Sequence, residues 1–183
     1  MGGAREGGDF FPLLVDYEEK YYASGKIKGS RFIKREGRPP DESILKARLI
    51  DRPVRPLFPK GLINDVVISA SVLSSDGKTD PGPHAITAAS ASLVVGGFPI
   101  TAPLAGIRIG MMNGELIVNP TYEQIAQGDL DLTVAGTAVA VTMVEAGAKM
   151  ISDEKMIEAI ALAHEEIKKL CALQDQLGKL SFL

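Results

Sequence analysis

Three arginines in "SILKARLIDRPVRPLFPKG", Arg48, Arg52 and Arg55, are spaced by four and then by three. On a helix the first two share one face, and the third follows just past Pro53. Asp51 and the prolines Pro53 and Pro56 stiffen that turn. A guanidinium fork that is already positioned loses less entropy when it grips a phosphate. Just upstream, "GSRFIKREGRPP" packs Arg31, Lys34, Arg35 and Arg38 around Phe32 and Ile33. Residues 26–60 hold eleven Lys and Arg against four acids, a local charge of +7 in a chain of net charge −3, so the remainder carries −10. A positive block on an acidic body points to a localised polyanion site, nucleic acid or phosphate. The alternative is a solvated surface with its cations spread in all directions.

Other chemistry is sparse. There is no GxxxxGK[ST], GxGxxG or GxSxG motif and no Cys/His set at metal spacing. His84 stands beside prolines at a helix start, where capping or exposure is expected. His164 follows Ile157, Ile160 and Ala161 around a helix and reads as a packed, interfacial histidine. Asp129 and Asp131 could share a strand face and hold a metal. With Leu130, Leu132 and Val134 facing a core, they read instead as two exposed carboxylates. The single cysteine, Cys171, cannot form an internal disulfide and fits a reducing compartment; a small packed residue in a helix is its expected role. On residues alone, the chain is a polyanion binder without a complete catalytic set.

The elements that must position these residues follow from periodicity and punctuation. A short strand is expected near residues 10–15, then helix or turn over 17–23. A loop should run to Pro40, followed by a helix capped by Asp41, stopped by Pro53, and apolar along Ile44, Leu45, Leu49 and Ile50. "DVVISASVLSS" reads as a strand. "DPGPHAITAASASLVVGG" reads as a helix begun by prolines and ended by Gly96 and Gly97, small enough in its side chains to lie close on a sheet. "GIRIGMMNGELIVNP" alternates about Asn113-Gly114, a hairpin signal, and "DLDLTVAGTAVAVTMVEAGA" forms a second hairpin about Gly136-Thr137. A last helix is expected from Ser152 as N-cap to about Gln176. This order implies an α+β fold, a mixed sheet with helices packed on it. The 183 residues suffice for one core. No apolar run approaches membrane length and "MGGAREGGDFF" has no signal-peptide core, so the cytoplasm is the expected location and no membrane partner is expected.

From "FFPLLVDYEEKYYASGKIKGSRFIKREGRPPDESILKARLIDRPVRPLFPKG" onward the chain closely resembles bacterial polynucleotide phosphorylase, in the first of its two ribonuclease PH-type core domains. The likeness continues through "VISASVLSSDGKTDP", "AASASLVVGGFPITAPLAGIRIG", "GELIVNPTYEQ", "DLDLTVAGTAVAVTMVEAGAKMIS" and "HEEIKKLCALQDQL". It implies a ribonuclease PH-type, ribosomal-protein-like β-α-β fold over residues 1–177, short of the family's first strands, with residues 178–183 as a tail outside the pattern. Missing strands would leave an open sheet edge. It also implies 3′-to-5′ phosphorolysis of RNA, with inorganic phosphate as co-substrate, nucleoside diphosphates as products, and a ring-shaped homotrimer threaded by single-stranded RNA.

By the same resemblance, Phe32, Lys34 and Arg35 belong to the loop at the channel constriction, Phe32 stacks on a base, and Arg38 lies in the adjoining "KREGRP" motif. Arg48, Arg52 and Arg55 match the arginine motif of the RNA-facing surface. Many relatives carry a second Phe where this chain has Ile33. The family's phosphate loop and its magnesium-binding carboxylates belong to the second core domain, so no catalytic or metal residue is carried over. The expectation is an RNA-binding core domain, inactive by itself. The alternatives are a stand-alone RNA-binding or scaffold module and a small complete exonuclease like ribonuclease PH; the missing phosphate loop argues against the latter.

Overall fold

The computed structural model describes Gly3, residues 10–27 and residues 39–181, the side chain of Ser181 excepted. Two sheets and the helices packed on them make up the described fold. The first strand, β1, runs from Leu13 to Glu19 and a 3-10 turn follows at Tyr21–Ser24. The strand thus begins and ends later than residues 10–15. Its polar second half is strand because Leu13 and Tyr17 face the core while Asp16 and Glu18 face outward. Helix α1, Asp41–Val54, crosses to β2, Val66–Val72, which pairs with β1 in parallel from Leu13↔Val66 to Glu19↔Val72.

Three details of α1 depart from expectation. Pro40, not Asp41, is the N-cap residue, and no side chain caps the end. Asp41 and Glu42 act there through the helix dipole instead. Pro53 lies inside the last turn, and the chain tightens into a 3-10 turn only at Arg55–Leu57. The inward face is Ser43, Lys46, Ile50, Pro53 and Val54, whereas Ile44 and Leu45 are exposed. The helix is rotated away from its apolar stripe, with Lys46 held inward by the carboxylates of Glu19 and Asp80.

Helix α2, Gly82–Val95, follows β2 and lies against the second sheet. Its order is β4-β3-β5-β6: β3 is Ala105–Met112, β4 Glu115–Val118, β5 Leu130–Gly136 and β6 Val141–Ala148. Asn113 and Gly114, at φ of 53° and 81°, make the β3–β4 hairpin turn. Gly106 allows α2 to approach: a Cβ there would lie 2.8 Å from Ile86 Cδ1 and 2.9 Å from the Pro83 carbonyl. A short helix α3, Tyr122–Gln127, opens with a capping box between Thr121 and Gln124.

The long helix α4, Asp153–Ser181, covers the other face of the sheet. The Lys155 backbone N–H donates to Ser152 Oγ at 3.3 Å, so Ser152 caps it as its position implied. The helix continues past Gln176 because Gly178 brings it against Val94; a Cβ would stand 2.8 Å from that side chain. Alternation along the strands divides the core in two. Ile107, Ile109, Leu130, Leu132 and Val134 meet Ala159, Ala163, Ile167 and Cys171 of α4. Ala135 and Met143 face the other way, into the core made by α1, α2, β1 and β2. Among the described residues, no helix is long and apolar enough to cross a membrane.

Candidate nucleic-acid interface

The arginine-bearing face of α1 turns away from the core and lines an open groove of about 650 Å³. Leu45, Arg48, Leu49, Asp51, Arg52, Arg55 and Pro56 form one side, and Glu145 of β6 stands opposite. Arg48 and Arg52 are one turn apart, as their spacing required, and both are exposed. Arg48 makes no ion pair or hydrogen bond among the described residues. Arg52 reaches Glu145 at 3.9 Å, a loose contact between two side chains that are each about two-thirds in solvent. Exposed pairs of this kind are worth about 0–1 kcal/mol and do not hold a guanidinium back from a ligand.

Arg55 is placed differently. Its Nε and Nη2 grip Asp51 at 3.2 and 2.6 Å, while Nη1 and Nη2 donate to the carbonyls of Phe11 and Leu13 at 3.1 Å each. The guanidinium also lies 5.9 Å from the Phe11 ring centroid. Four of its five N–H groups are therefore spent on tying the end of α1 to the start of β1. Phe32, Lys34, Arg35 and Arg38 lie outside the described residues.

Beside the groove, in a cleft that shares Leu45, Leu49 and Glu145 with it, α1 joins an ion network that the sequence did not disclose. Lys46 Nζ lies 2.7 Å from Glu19 Oε1 and 3.0 Å from Asp80 Oδ1. Arg108 donates to Asp80 at 2.9 Å and to both oxygens of Asp131 at 2.7 and 2.8 Å. Tyr17 donates to Glu19 at 2.8 Å, and the Gly82 N–H to Asp80 at 3.0 Å. Burial disfavours the Lys46 ammonium, but the hydrogen bonds and charges of Glu19 and Asp80 outweigh it and raise its pKa. Burial likewise pushes Asp80 up; the Gly82 N–H, Lys46 and Arg108 overcome it and hold the carboxyl below its usual range. Asp131, and then Asp80, raise Arg108 against its burial. With two cations against Glu19, Asp80 and Asp131, the network is saturated and net acidic, so it has no charge to offer an anion.

Asp131 is therefore not the freely exposed carboxylate expected of a strand alternation, although Asp129 is exposed. Because both Asp131 oxygens are committed to Arg108, and no three His, Cys, Asp or Glu side chains converge among the described residues, a magnesium ion does not fit here. His84 is exposed at the start of α2, and His164 Nε2 packs 3.1 Å from the Thr137 carbonyl. Burial pushes the Cys171 thiol up to about 11, keeping it protonated and inert. The signals for the network were faint: Lys46 falls at buried helical spacing between Ser43 and Ile50, and Arg108 sits on the inward side of β3 between glycines.

This architecture has known relatives. Residues 2–99 match the model described as "3′ exoribonuclease family, domain 1", and residues 102–166 match "3′ exoribonuclease family, domain 2". The chain belongs to the 3′ exoribonuclease family. Within it, the chain is similar to curated proteins named polyribonucleotide nucleotidyltransferase. The one from Sulfurihydrogenibium azorense is 55% identical over 169 residues, covering 92% of this chain and 24% of the relative. That of Persephonella marina is 56% identical over 169 residues, 92% of this chain and 24% of the relative. That of Halothermothrix orenii is 51% identical over 179 residues, 98% of this chain and 25% of the relative. The chain thus spans about a quarter of the length of these relatives. The break between the two family models falls in the connection from α2 to β3, between the two sheets.

Proposed function

We propose that the chain is the RNA-binding part of a 3′-to-5′ phosphorolytic exoribonuclease, the first core domain of a polynucleotide phosphorylase. In that enzyme inorganic phosphate attacks the RNA 3′ end and nucleoside diphosphates leave, in a cytoplasmic homotrimer. Support comes from the nucleotidyltransferase relatives and, on this chain, from one observation: Arg48 and Arg52 stand one turn apart on an exposed helix face, without a tight partner among the described residues. Their spacing suits successive contacts along one sugar–phosphate backbone, with Phe32 supplying a base contact. Magnesium would be held by residues outside this chain, and the chain's own part is to bind and orient the strand.

Each phosphate contact on a single strand contributes a slope of about −0.7 in log affinity against log salt. Arg52→Ala should therefore weaken binding of a short single-stranded RNA and flatten that slope by roughly 0.7, as read by fluorescence anisotropy at several salt concentrations. Phe32→Ala should weaken binding by roughly 1–3 kcal/mol with the slope unmoved. A Phe32→Ala chain that binds like the parent, or an Arg52→Ala slope equal to the parent's, overturns the proposal. Incubated with poly(A), phosphate and magnesium, the chain by itself should release no ADP. Sustained release above a mock preparation would favour a complete small exonuclease instead.

A further inference from the structure

Glu145 is the one charged residue of β6, and it stands where two clefts meet. It lines the arginine groove and also the neighbouring cleft that holds Lys46 and Arg108. The register sets Thr133 of β5 opposite Glu145 and Arg108 of β3 opposite Thr133, so all three share one face of the sheet. Arg108 is nevertheless committed elsewhere, through Nε and Nη2 to Asp131 and through Nη1 to Asp80. Glu145 is left with Arg52, at 3.9 Å. On the other wall of the groove, Asp51 is taken up by Arg55 through both of its oxygens. With that pair set aside, the groove holds two guanidinium groups, Arg48 and Arg52, against one carboxylate.

We infer that Glu145 is a built-in competitor for the RNA strand: its carboxylate stands beside Arg52 where a phosphate of the strand would stand, and binding has to displace it. This role rests on the RNA reading of the groove and adds the residue that limits its grip. Both side chains are about two-thirds in solvent, so the pair opens at little cost, as a buried pair would not. Replacing the carboxylate by an amide raises the net charge of the groove from one positive to two and frees Arg52 at the same time. An enzyme that removes nucleotides from one end has to let its strand advance, and every advance breaks and remakes these phosphate contacts. A carboxylate that offsets half of the available positive charge keeps each contact weak enough to remake.

Fluorescence anisotropy with a short single-stranded RNA tests the competition. Glu145 is exposed, so its variants should fold as the parent does. Glu145→Gln should tighten binding by about 2- to 5-fold, a range set by the worth of an exposed pair. In an Arg52→Ala background the same substitution should change affinity by less than about 1.5-fold, because the partner it frees is gone. A field of the carboxylate on the whole strand would instead give the same gain in both backgrounds. Glu145→Gln binding no tighter than the parent, or an equal gain with and without Arg52, overturns the competition. If Arg52→Ala itself leaves affinity and salt slope unchanged, the RNA reading of the groove falls and this role with it. If Arg52→Ala weakens binding while Glu145→Gln changes nothing, the role of Glu145 alone falls.

Discussion

Helix α1 carries two kinds of cation within two turns. Lys46 faces inward to Glu19 and Asp80, while Arg48 and Arg52 face outward to water and a loosely placed Glu145. The first holds the fold; the others are available to a ligand. A count of positive residues in the basic segment treats them alike. What separates them is the number of acids within reach and the water each has lost, because a buried charge persists only when paired and an exposed one pairs weakly. Arg55 lies between these cases, exposed in part yet nearly saturated with acceptors.

Breaking the buried side should have the largest effect. Lys46→Ala removes one of the two cations held by the half-buried Asp80 and should lower the unfolding free energy by about 1.5–3 kcal/mol, the exposure of Glu19 limiting the loss. Urea denaturation measures this, and a loss under about 1 kcal/mol would erase the distinction between the two faces.

Acid should find the same side. Asp80 has a depressed pKa when folded, so its contribution is full above the unfolded aspartate value near 3.9 and is lost as pH falls through the folded value. Lys46 is raised, so its contribution is full below the unfolded lysine value near 10.4 and fades only as pH rises through the folded value. Stability should therefore hold from about pH 5 to 9 and fall below about pH 4. An Asp80→Asn chain, less stable at neutral pH, should lose less on acidification; equal losses would place the acid sensitivity elsewhere.

A smaller effect sharpens the comparison. Arg55→Ala removes a clamp between α1 and β1 and should cost about 1–2 kcal/mol of stability, its partial exposure limiting the loss. The salt slope of RNA binding should barely change. A slope flattened as much as by Arg52→Ala, with stability intact, would return Arg55 to the RNA face.

Legibility in the sequence followed the range of the forces. The Asn113-Gly114 turn, the Ser152 cap, the Gly96-Gly97 stop and the alternating strands depend on neighbours a few residues apart, and each was readable. The start of α1 departs from its sequence signal because Asp41 has the side chain of a cap but stands one residue inside the helix, after Pro40. The polar half of β1, expected as helix or turn, is strand because its pairing depends on β2, some fifty residues later.

Family and the outward placement of Arg48 and Arg52 were settled by the sequence itself, through motif and helical spacing. Which cations are spent internally was decided only when the chain folded. Glu19, Lys46, Asp80, Arg108 and Asp131 come from β1, α1, the approach to α2, β3 and β5, and nothing local marks them as partners. Ion pairing depends on distance and on lost water, and both are fixed by tertiary packing rather than by position along the chain.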